Sequence, residues 1–208
     1  MEGLICWMLV SNLLNLSNYT DVTEETLSRI EICTEIARSA PAGQDKFLAL
    51  AVGWQESSYT DAYGKWICTR RGVLVKGASG RPRCKSVSNR KSLLTRAVGP
   101  MQVLDVYHCR NKGDCDSVYS KARVGVRLLY SLVDKFGVDK GIAIYAGGTV
   151  NPKSRRYSSM TVRNSIRMRH KVETSPVYRS ISGLLSYLSS LAKRHNTLLV
   201  FPWGTRRS

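Results

Sequence analysis

Apolar residues recur at helical spacing soon after a cluster of residues suited to begin a helix. Asp21 and Thr23 are both candidates for the N-cap, and two glutamates follow. The apolar positions that share one face are Leu27, Ile30, Cys33 and Ala37. Because they lie three or four residues apart and Pro41 stops the pattern, the sequence predicts a helix over residues 23–39.

A second amphipathic segment carries one carboxylate among apolar and aromatic residues. Its apolar positions are Phe47, Leu50, Ala51 and Trp54. Their spacing predicts a mostly buried helix with Glu56 near its C-terminal end. A buried carboxyl group loses hydration, and the negative end of a helix disfavours an anion. Both effects are expected to raise the pKa of Glu56.

The most regular apolar stripe in the chain comes third and predicts a central core helix that Gly137 closes. Its members are Ala122, Gly125, Val126, Leu129, Leu132, Val133 and Phe136. Another stripe follows Pro176, with serines on the opposite face. Its members are Val177, Ile181, Leu184, Leu188 and Leu191. This second stripe predicts an amphipathic tail helix, which is more typical of docking to a protein partner than of catalysis.

Between the second and third helices lies a segment rich in Gly, Ser, Lys and Arg, residues 64–96. The β-like pieces "KWICT" and "GVLVKG" predict a hairpin there, and it is the only sheet expected. No acid occurs between Lys65 and Lys91, whereas basic residues do, and six of them are Arg70, Arg71, Lys76, Arg81, Arg83 and Lys85. The fold class expected from these patterns is mainly α, or α+β at most.

The N-terminus, "MEGLICWMLVSNLLNLSN", has an apolar run that could be mistaken for a targeting segment. Glu2 stands where a signal peptide has basic residues, no small-residue cleavage site follows, and Asn12 and Asn15 interrupt the run. The run is also shorter than the roughly 20 residues of a membrane span. We expect a short helix that packs on the domain or on a partner, and no signal peptide.

Length, composition and charge narrow the choice of organisation and partner. With 208 residues and 43% hydrophobic content, the chain suits one domain at residues 21–175, with extensions at 1–20 and 176–208. Lys and Arg number 32 against 15 Asp and Glu, a formal net charge of +17. A polyanionic partner is therefore expected: nucleic acid, an anionic membrane face or an anionic cell-wall polymer.

Six cysteines leave three states open. Free thiols are favoured, with Cys33 on the apolar face of its helix. Two local disulfides are the next choice, because Cys68 and Cys84 flank one basic loop and Cys109 and Cys115 flank "RNKGD". A four-cysteine metal site is the weakest choice, since neither spacing is CxxC.

Three separated stretches resemble, in order, motifs of one enzyme family. "QESSY" (55–59), "AVGPMQV" (97–103) and "AIYAGG" (143–148) are similar to the Glu-Ser, Gly-x-Met-Gln and Ala-Tyr-Asn-Ala-Gly motifs of the soluble lytic transglycosylases. The resemblance covers residues 27–171. It implies a lysozyme-like fold and cleavage of peptidoglycan between N-acetylmuramic acid and N-acetylglucosamine, with no cofactor and no metal.

The resemblance also implies roles for individual residues. Glu56 would be the sole catalytic acid, and it would then act as the base that takes a proton from the primary hydroxyl of the muramic acid, giving a 1,6-anhydro product. Tyr145 would hydrogen-bond that acid. The residues expected to contact substrate are Ser57, Gly99, Met101, Gln102, Tyr145, Ala146 and Gly147.

The chain also departs from the family pattern. The gap between Glu56 and Gly99 is longer than usual, so residues 64–96 would be an insertion beside the cleft. Arg96 replaces a usual Gly, Pro100 a bulkier aliphatic residue, and Ala146 the Asn that would contact an N-acetyl group or peptide stem.

Two other functions remain as alternatives. A goose-type lysozyme of the same fold would hydrolyse the bond with a second carboxylate, about 6.5 to 9.5 Å from the first, and only Asp61 and Asp105 are near in sequence. These two are more simply read as a cap and a solvated helix residue. A basic structural protein bound to nucleic acid is the other alternative, given "RRGVLVKGASGRPRCK" and "VRNSIRMRHK".

Wall-cutting chemistry without an export signal suggests a bacteriophage protein. Such a protein would be stored in the virion beside packaged DNA and would act in the host envelope or periplasm. Its basic loops would hold it on anionic wall polymer or on that DNA.

Overall fold

The structure is a computed structural model that describes residues 1–16, 22–69, 72–77, 81–87, 91–109, 111 and 113–194. Within this part of the chain the helices are α1 Glu2–Leu13, α2 Glu24–Ser39, α3 Lys46–Ser57, α4 Asp105–His108, α5 Val118–Phe136, α6 Val138–Gly147, α7 Pro152–Thr174 and α8 Pro176–Arg194. The strands are β1 Ile67–Cys68, β2 Val73–Lys76, β3 Pro82–Lys85, β4 Leu94–Thr95, β5 Ala97–Val98 and β6 Val103–Leu104. The mainly helical fold class is confirmed.

Polar residues begin the long helices by satisfying free backbone N–H groups. The Thr23 hydroxyl accepts from the N–H of Thr26 at 3.2 Å, so Thr23 is the cap of α2; Asp21 lies outside the described residues. The Asp45 carboxylate accepts from the N–H of Phe47 at 3.0 Å. Ser117 begins α5 with a reciprocal capping box. The helices predicted at α2, α3, α5 and α8 are confirmed.

The buried face of α2 differs from the predicted one. Leu27 is 49% exposed, whereas Ile32 and Ile36 are buried together with Cys33 and Ala37. The reason is tertiary, because α2 contacts α1, α3 and α5 at once. Spacing correctly placed Cys33 and Ala37 on the buried face, but it put Leu27 there in place of Ile32 and Ile36.

Helix α1 shares the main hydrophobic core. Ile5, Cys6, Leu9 and Val10 are buried in the same cluster as residues of α2, α3, α5 and α7. A disulfide joins Cys6 of α1 to Cys33 of α2. The N-terminal helix therefore packs on the domain, as one branch of the prediction had it.

All six cysteines are paired, so the favoured expectation of free thiols is wrong, and so is the metal alternative. The two local disulfides, Cys68–Cys84 and Cys109–Cys115, are formed. The third pair, Cys6–Cys33, was not anticipated because its partners lie on two different helices. Only the packing of α1 on α2 brings them together.

Three two-stranded antiparallel sheets occur among the described residues, and the two predicted strands do not pair with each other, so the expectation of a single hairpin between them is wrong. The strand at "GVLVKG", β2, pairs with β3, and the strand at "KWICT", β1, pairs with β4. A third hairpin, β5–β6, spans the "AVGPMQV" motif. Arg70 and Arg71 lie outside the described residues.

Helix α7 is part of the core, and α8 follows it at the C-terminal end of the described chain. Helix α7 packs along α3 and α6, while α8 touches mainly α7 and leaves Val177, Ile181 and Leu184 exposed. The side chains of Leu188 and Leu191 lie outside the described residues, as do positions 195–208. No helix in the described part of the chain is long and apolar enough to cross a membrane.

Candidate active site

The end of α3 places Glu56 at the edge of the core. Residues 47–53 of this helix are buried, and the helix stops at Ser58, which adopts the left-handed φ of 56°. The N–H of Ser58 donates to the Trp54 carbonyl at 2.8 Å. The next residue, Tyr59, is fully buried and donates its hydroxyl to the Leu50 carbonyl at 2.9 Å. These bonds fix the last turn of α3 and, with it, the position of Glu56.

Burial and one tyrosine act on the pKa of the Glu56 carboxyl group, and a second tyrosine lies near it. Burial raises the pKa of Glu56, and the hydrogen bond from Tyr157 opposes this effect only in part. Tyr157 of α7 donates its Oη to Glu56 Oε1 at 2.5 Å. Burial, and then the charge of Glu56, raises the pKa of Tyr145 on α6. Burial, and then the charge of Glu56, also raises the pKa of Tyr157. Both tyrosines therefore stay neutral, and Glu56 is the group of the three that can exchange a proton.

Tyr145 does not make the hydrogen bond expected of it. Its Oη donates to the Met101 carbonyl at 2.5 Å, so the expectation that Tyr145 bonds the Glu56 carboxyl group is wrong. Its bond instead ties α6 to the turn of the β5–β6 hairpin. The tyrosine on Glu56 is Tyr157, 101 positions away in sequence.

Sequence reasoning missed Tyr157 because no motif surrounds it. The buried face of α7 is made mostly of small polar residues: Ser154, Ser158, Thr161, Ser165, Met168 and Val172. Tyr157 lies beside this face, and it is the one large aromatic residue of α7. A lone tyrosine next to a stripe of small residues was the signal that could have identified it.

Ser57 lies next to Glu56 but its hydroxyl is used within the protein. It donates to the Pro100 carbonyl at 2.9 Å and accepts from the N–H of Thr60 at 3.1 Å. Ser57 therefore clamps the end of α3 to the β5–β6 turn. A direct contact with substrate, as the resemblance implied, would have to break these bonds.

The turn between β5 and β6 is built by Gly99 and Gln102, both with positive φ, 75° and 49°. A Cβ at Gly99 would lie 2.5 Å from the Cβ of Lys121, so only glycine fits. The Gln102 amide donates to the carbonyls of Ala62 at 2.9 Å and Gly99 at 2.8 Å. The expected turn is present, but it closes a hairpin, and helix α4 begins only at Asp105.

Met101 is fully buried and does not line a cleft. Its side chain packs against α5 where Gly125 leaves room, since a Cβ at Gly125 would lie 2.2 Å from the Cβ of Met101. The expectation that the Met101 side chain contacts substrate is therefore wrong, because that side chain lies in the core. Its carbonyl instead accepts the hydroxyl of Tyr145.

Ala146 and Gly147 lie exposed at the C-terminal end of α6, directly after Tyr145. A Cβ at Gly147 would lie 3.3 Å from the Cβ of Ser154, so the end of α6 lies close to the start of α7. Of the residues predicted to contact substrate, these two are the most accessible.

The two candidate second carboxylates both have partners. Both oxygens of Asp61 accept from Lys121 Nζ, at 3.0 and 2.9 Å. Asp105 Oδ1 accepts from the Thr95 hydroxyl and the N–H of Val106, both at 2.6 Å. Asp61 is thus an ion-pair partner and no cap, and Asp105 is half-buried and bonded, not solvated as expected.

Within the described ranges, no three His, Cys, Asp or Glu side chains group so as to hold a metal ion. Comparison with known protein families, with curated proteins and with solved structures finds no match to this chain.

Proposed function

We propose that this protein is a peptidoglycan lytic transglycosylase, which cleaves the bond between N-acetylmuramic acid and N-acetylglucosamine and forms a 1,6-anhydro end. The observation that carries the proposal is Glu56: a buried carboxyl group with a raised pKa, bonded by Tyr157. The order of the three motifs along the chain supports it as well.

The chemistry needs a single carboxyl group that works twice. With its pKa raised by burial, Glu56 is protonated over a wider pH range and donates to the leaving oxygen. The resulting carboxylate then takes the proton of the muramic acid's own primary hydroxyl, which closes on the anomeric carbon. No water is consumed. The Tyr157 hydroxyl stabilises the carboxylate between the two steps by donating to it.

The hydrogen-bond and ion-pair partners of Asp61 and Asp105 favour this route over hydrolysis by a goose-type lysozyme. A general base that activates water needs a free carboxylate oxygen aimed into the cleft. Both oxygens of Asp61 are held by Lys121, and Oδ1 of Asp105 is held by Thr95 and a backbone N–H, so Oδ2 of Asp105 is the one oxygen of this pair of residues that a described partner does not hold.

The charge of the chain and its disulfides support a place of action. Three disulfides are typical of an oxidising compartment such as the periplasm or a released virion. A net charge of +17 suits adsorption to an anionic wall polymer and is equally compatible with packaged DNA. We therefore propose a virion-associated protein that acts in the host envelope.

The test is digestion of purified cell-wall sacculi, followed by mass spectrometry of the products. The parent protein should release fragments with anhydro-muramyl ends, each lighter by one water molecule than a hydrolysed product. Glu56→Gln should reduce the rate at least by the factor of about 100 to 10,000 that general acid catalysis supplies. Glu173→Gln, an exposed carboxylate of α7, is the control and should cleave at the parent rate.

Reducing ends as the main product would replace this proposal by hydrolysis. A Glu56→Gln protein within tenfold of the parent rate would remove Glu56 as the catalytic acid. A folded parent that releases nothing and binds DNA tightly would favour the nucleic-acid alternative.

A further inference from the structure

An aromatic segment, Tyr63 to Trp66, runs beside the β5–β6 hairpin, whose turn also contacts the end of α3. Tyr63 forms an isolated bridge with Val98, and the N–H of Gly64 donates to the Ala97 carbonyl at 2.9 Å. The Ser57 hydroxyl, next to Glu56, donates to the Pro100 carbonyl in the turn of the same hairpin, so this segment and the end of α3 both contact that hairpin. Arg96, three residues before Gly99, lies about 10 Å along the strand from that turn.

Arg96 is stacked against two aromatic rings. Its guanidinium carbon lies 4.3 Å from the centroid of the Tyr63 ring and 4.7 Å from that of Trp66. Lys121 Nζ lies 4.8 Å from the Tyr63 centroid and donates to the Tyr63 hydroxyl at 2.9 Å. The stacking on two rings fixes the orientation of the Arg96 guanidinium before any ligand binds, which lowers the entropy cost of binding.

Of the two cations in this stack, Lys121 is paired with Asp61, whereas Arg96 has no counter-ion bonded to its guanidinium among the described residues. In the described part of the chain Arg96 forms no salt bridge, and its Nε is buried without a hydrogen-bond partner. Tyr63 is 52% exposed and Trp66 is 37% exposed. The buried Nε is out of reach of a ligand, so the terminal Nη atoms, which no hydrogen bond to a described residue occupies, are the donors that match a planar carboxylate next to the apolar face of a sugar.

We propose that Arg96, Tyr63 and Trp66 form an accessory subsite for a carboxylate-bearing sugar of the glycan strand, such as a muramic acid whose lactyl group is free of peptide. This inference rests on the proposed function and names the substrate feature that the chain would select. Arg96 would pair with the carboxylate, and Trp66 would pack on the sugar ring. A stacked nucleic-acid base is the poorer match, because cations already lie against the Tyr63 ring.

The test is isothermal titration of full-length Glu56→Gln protein with two soluble tetrasaccharides. One alternates N-acetylglucosamine with peptide-free N-acetylmuramic acid, and the other is the neutral N-acetylglucosamine tetramer. Adding Arg96→Gln should weaken binding of the acidic glycan about tenfold and leave the neutral one within twofold. Trp66→Ala should weaken both. Arg127→Gln, which removes a 70% exposed arginine of α5, is the charge-matched control and should change neither.

Arg96→Lys guards against a folding defect, because it keeps the charge and loses the planar stack, so it should recover part of the acidic-glycan affinity. Equal loss on both glycans in Arg96→Gln, or no loss on either, overturns the subsite. So does a Glu56→Gln protein that binds neither glycan. So does an Arg96→Gln change that weakens binding of a single-stranded oligonucleotide, titrated in the same way, and leaves the affinity for both glycans unchanged. Sacculus digestion by the parent tests the proposed function separately. If the parent cleaves sacculi but Arg96→Gln affects both glycans alike, only the subsite is overturned.

Discussion

Two opposing effects act on the Glu56 carboxyl group. Burial disfavours the anion and raises the pKa, while the Tyr157 hydroxyl stabilises the anion and lowers it, and burial is the larger effect. The balance leaves an acid that holds its proton more strongly than a solvated glutamate, yet has a donor ready to stabilise the carboxylate once the proton has left.

Tyr157→Phe tests that balance. Without the hydroxyl, only burial acts, so the pKa of Glu56 should rise further. Because the protonated form is the active acid, the basic limb of the pH–rate profile should move to higher pH. The rate at the optimum should fall about tenfold or more, since a hydrogen bond to a charged group contributes about 1.5 to 3 kcal/mol. The measurement is the sacculus digestion rate between acidic and alkaline pH.

Tyr119→Phe is the matched control, because Tyr119 also donates to a glutamate, Glu31, at 2.8 Å, on the surface. It should leave both the rate and the profile unchanged. A basic limb that moves to lower pH in Tyr157→Phe would show that Tyr157 does not stabilise the Glu56 carboxylate.

At the scale of elements, helix α5 and the β5–β6 hairpin meet at one close contact. The Met101 side chain occupies the space that Gly125 leaves on α5. The same turn receives the bonds of Ser57 and Tyr145 through the carbonyls of Pro100 and Met101. The position of the hairpin relative to Glu56 therefore depends on this contact.

Gly125→Ala should lower the free energy of unfolding by about 1 to 3 kcal/mol, although alanine is the better helix former, because overpacking outweighs propensity. It should also slow cleavage, since the turn must move. Gly3→Ala, in α1, has nothing within 4 Å of the new methyl group and should be neutral or slightly stabilising. Urea unfolding of both variants is the measurement, and a stabilised Gly125→Ala protein would contradict the contact.

The disulfide between α1 and α2 closes a longer loop than the one between Cys109 and Cys115, with sequence separations of 27 and 6. Replacing Cys6 and Cys33 by Ala should therefore lower the free energy of unfolding by roughly 3 to 4 kcal/mol, against roughly 2 for the shorter pair. Loss of buried sulfur atoms acts in the same direction. Chemical denaturation of the two double variants gives the comparison, and the opposite order would show that α1 contributes little to the core.

At the scale of the whole molecule, positive charge is concentrated on two surfaces. The hairpin β2–β3 carries exposed Lys76, Arg81, Arg83 and Lys85, and α7 carries exposed Arg155, Arg156, Arg163 and Arg167. Exposed charges contribute affinity that salt screens, with a Debye length near 8 Å at physiological ionic strength.

Neutralising the four hairpin residues with Gln should weaken binding to intact anionic cell walls and flatten its salt dependence. Cleavage of short soluble peptidoglycan fragments should change little, because those charges act on the wall polymer and not on the reacting bond. The same change on the four α7 arginines removes equal charge elsewhere and should weaken wall binding less. Sedimentation with sacculi at several salt concentrations measures this, and equal effects would indicate a general effect of net charge.

The sequence by itself predicted what depends on local spacing. Helical periodicity and the caps Thr23 and Gly137 predicted α2, α3, α5 and α8, and the motif order singled out Glu56 as the candidate acid. Local cysteine spacing allowed the pairs Cys68–Cys84 and Cys109–Cys115. Each of these features depends on residues that lie close together in the sequence.

Tertiary structure alone decided which distant groups meet. It placed Tyr157 and not Tyr145 on Glu56, joined Cys6 to Cys33, and buried Met101 against Gly125. It also gave Asp61 and Asp105 their partners. Each of these contacts joins residues on different elements, and which faces of two helices touch depends on every neighbour that packs around them, as the exposed Leu27 of α2 illustrates. The periodicity of one element carries no information about its partner.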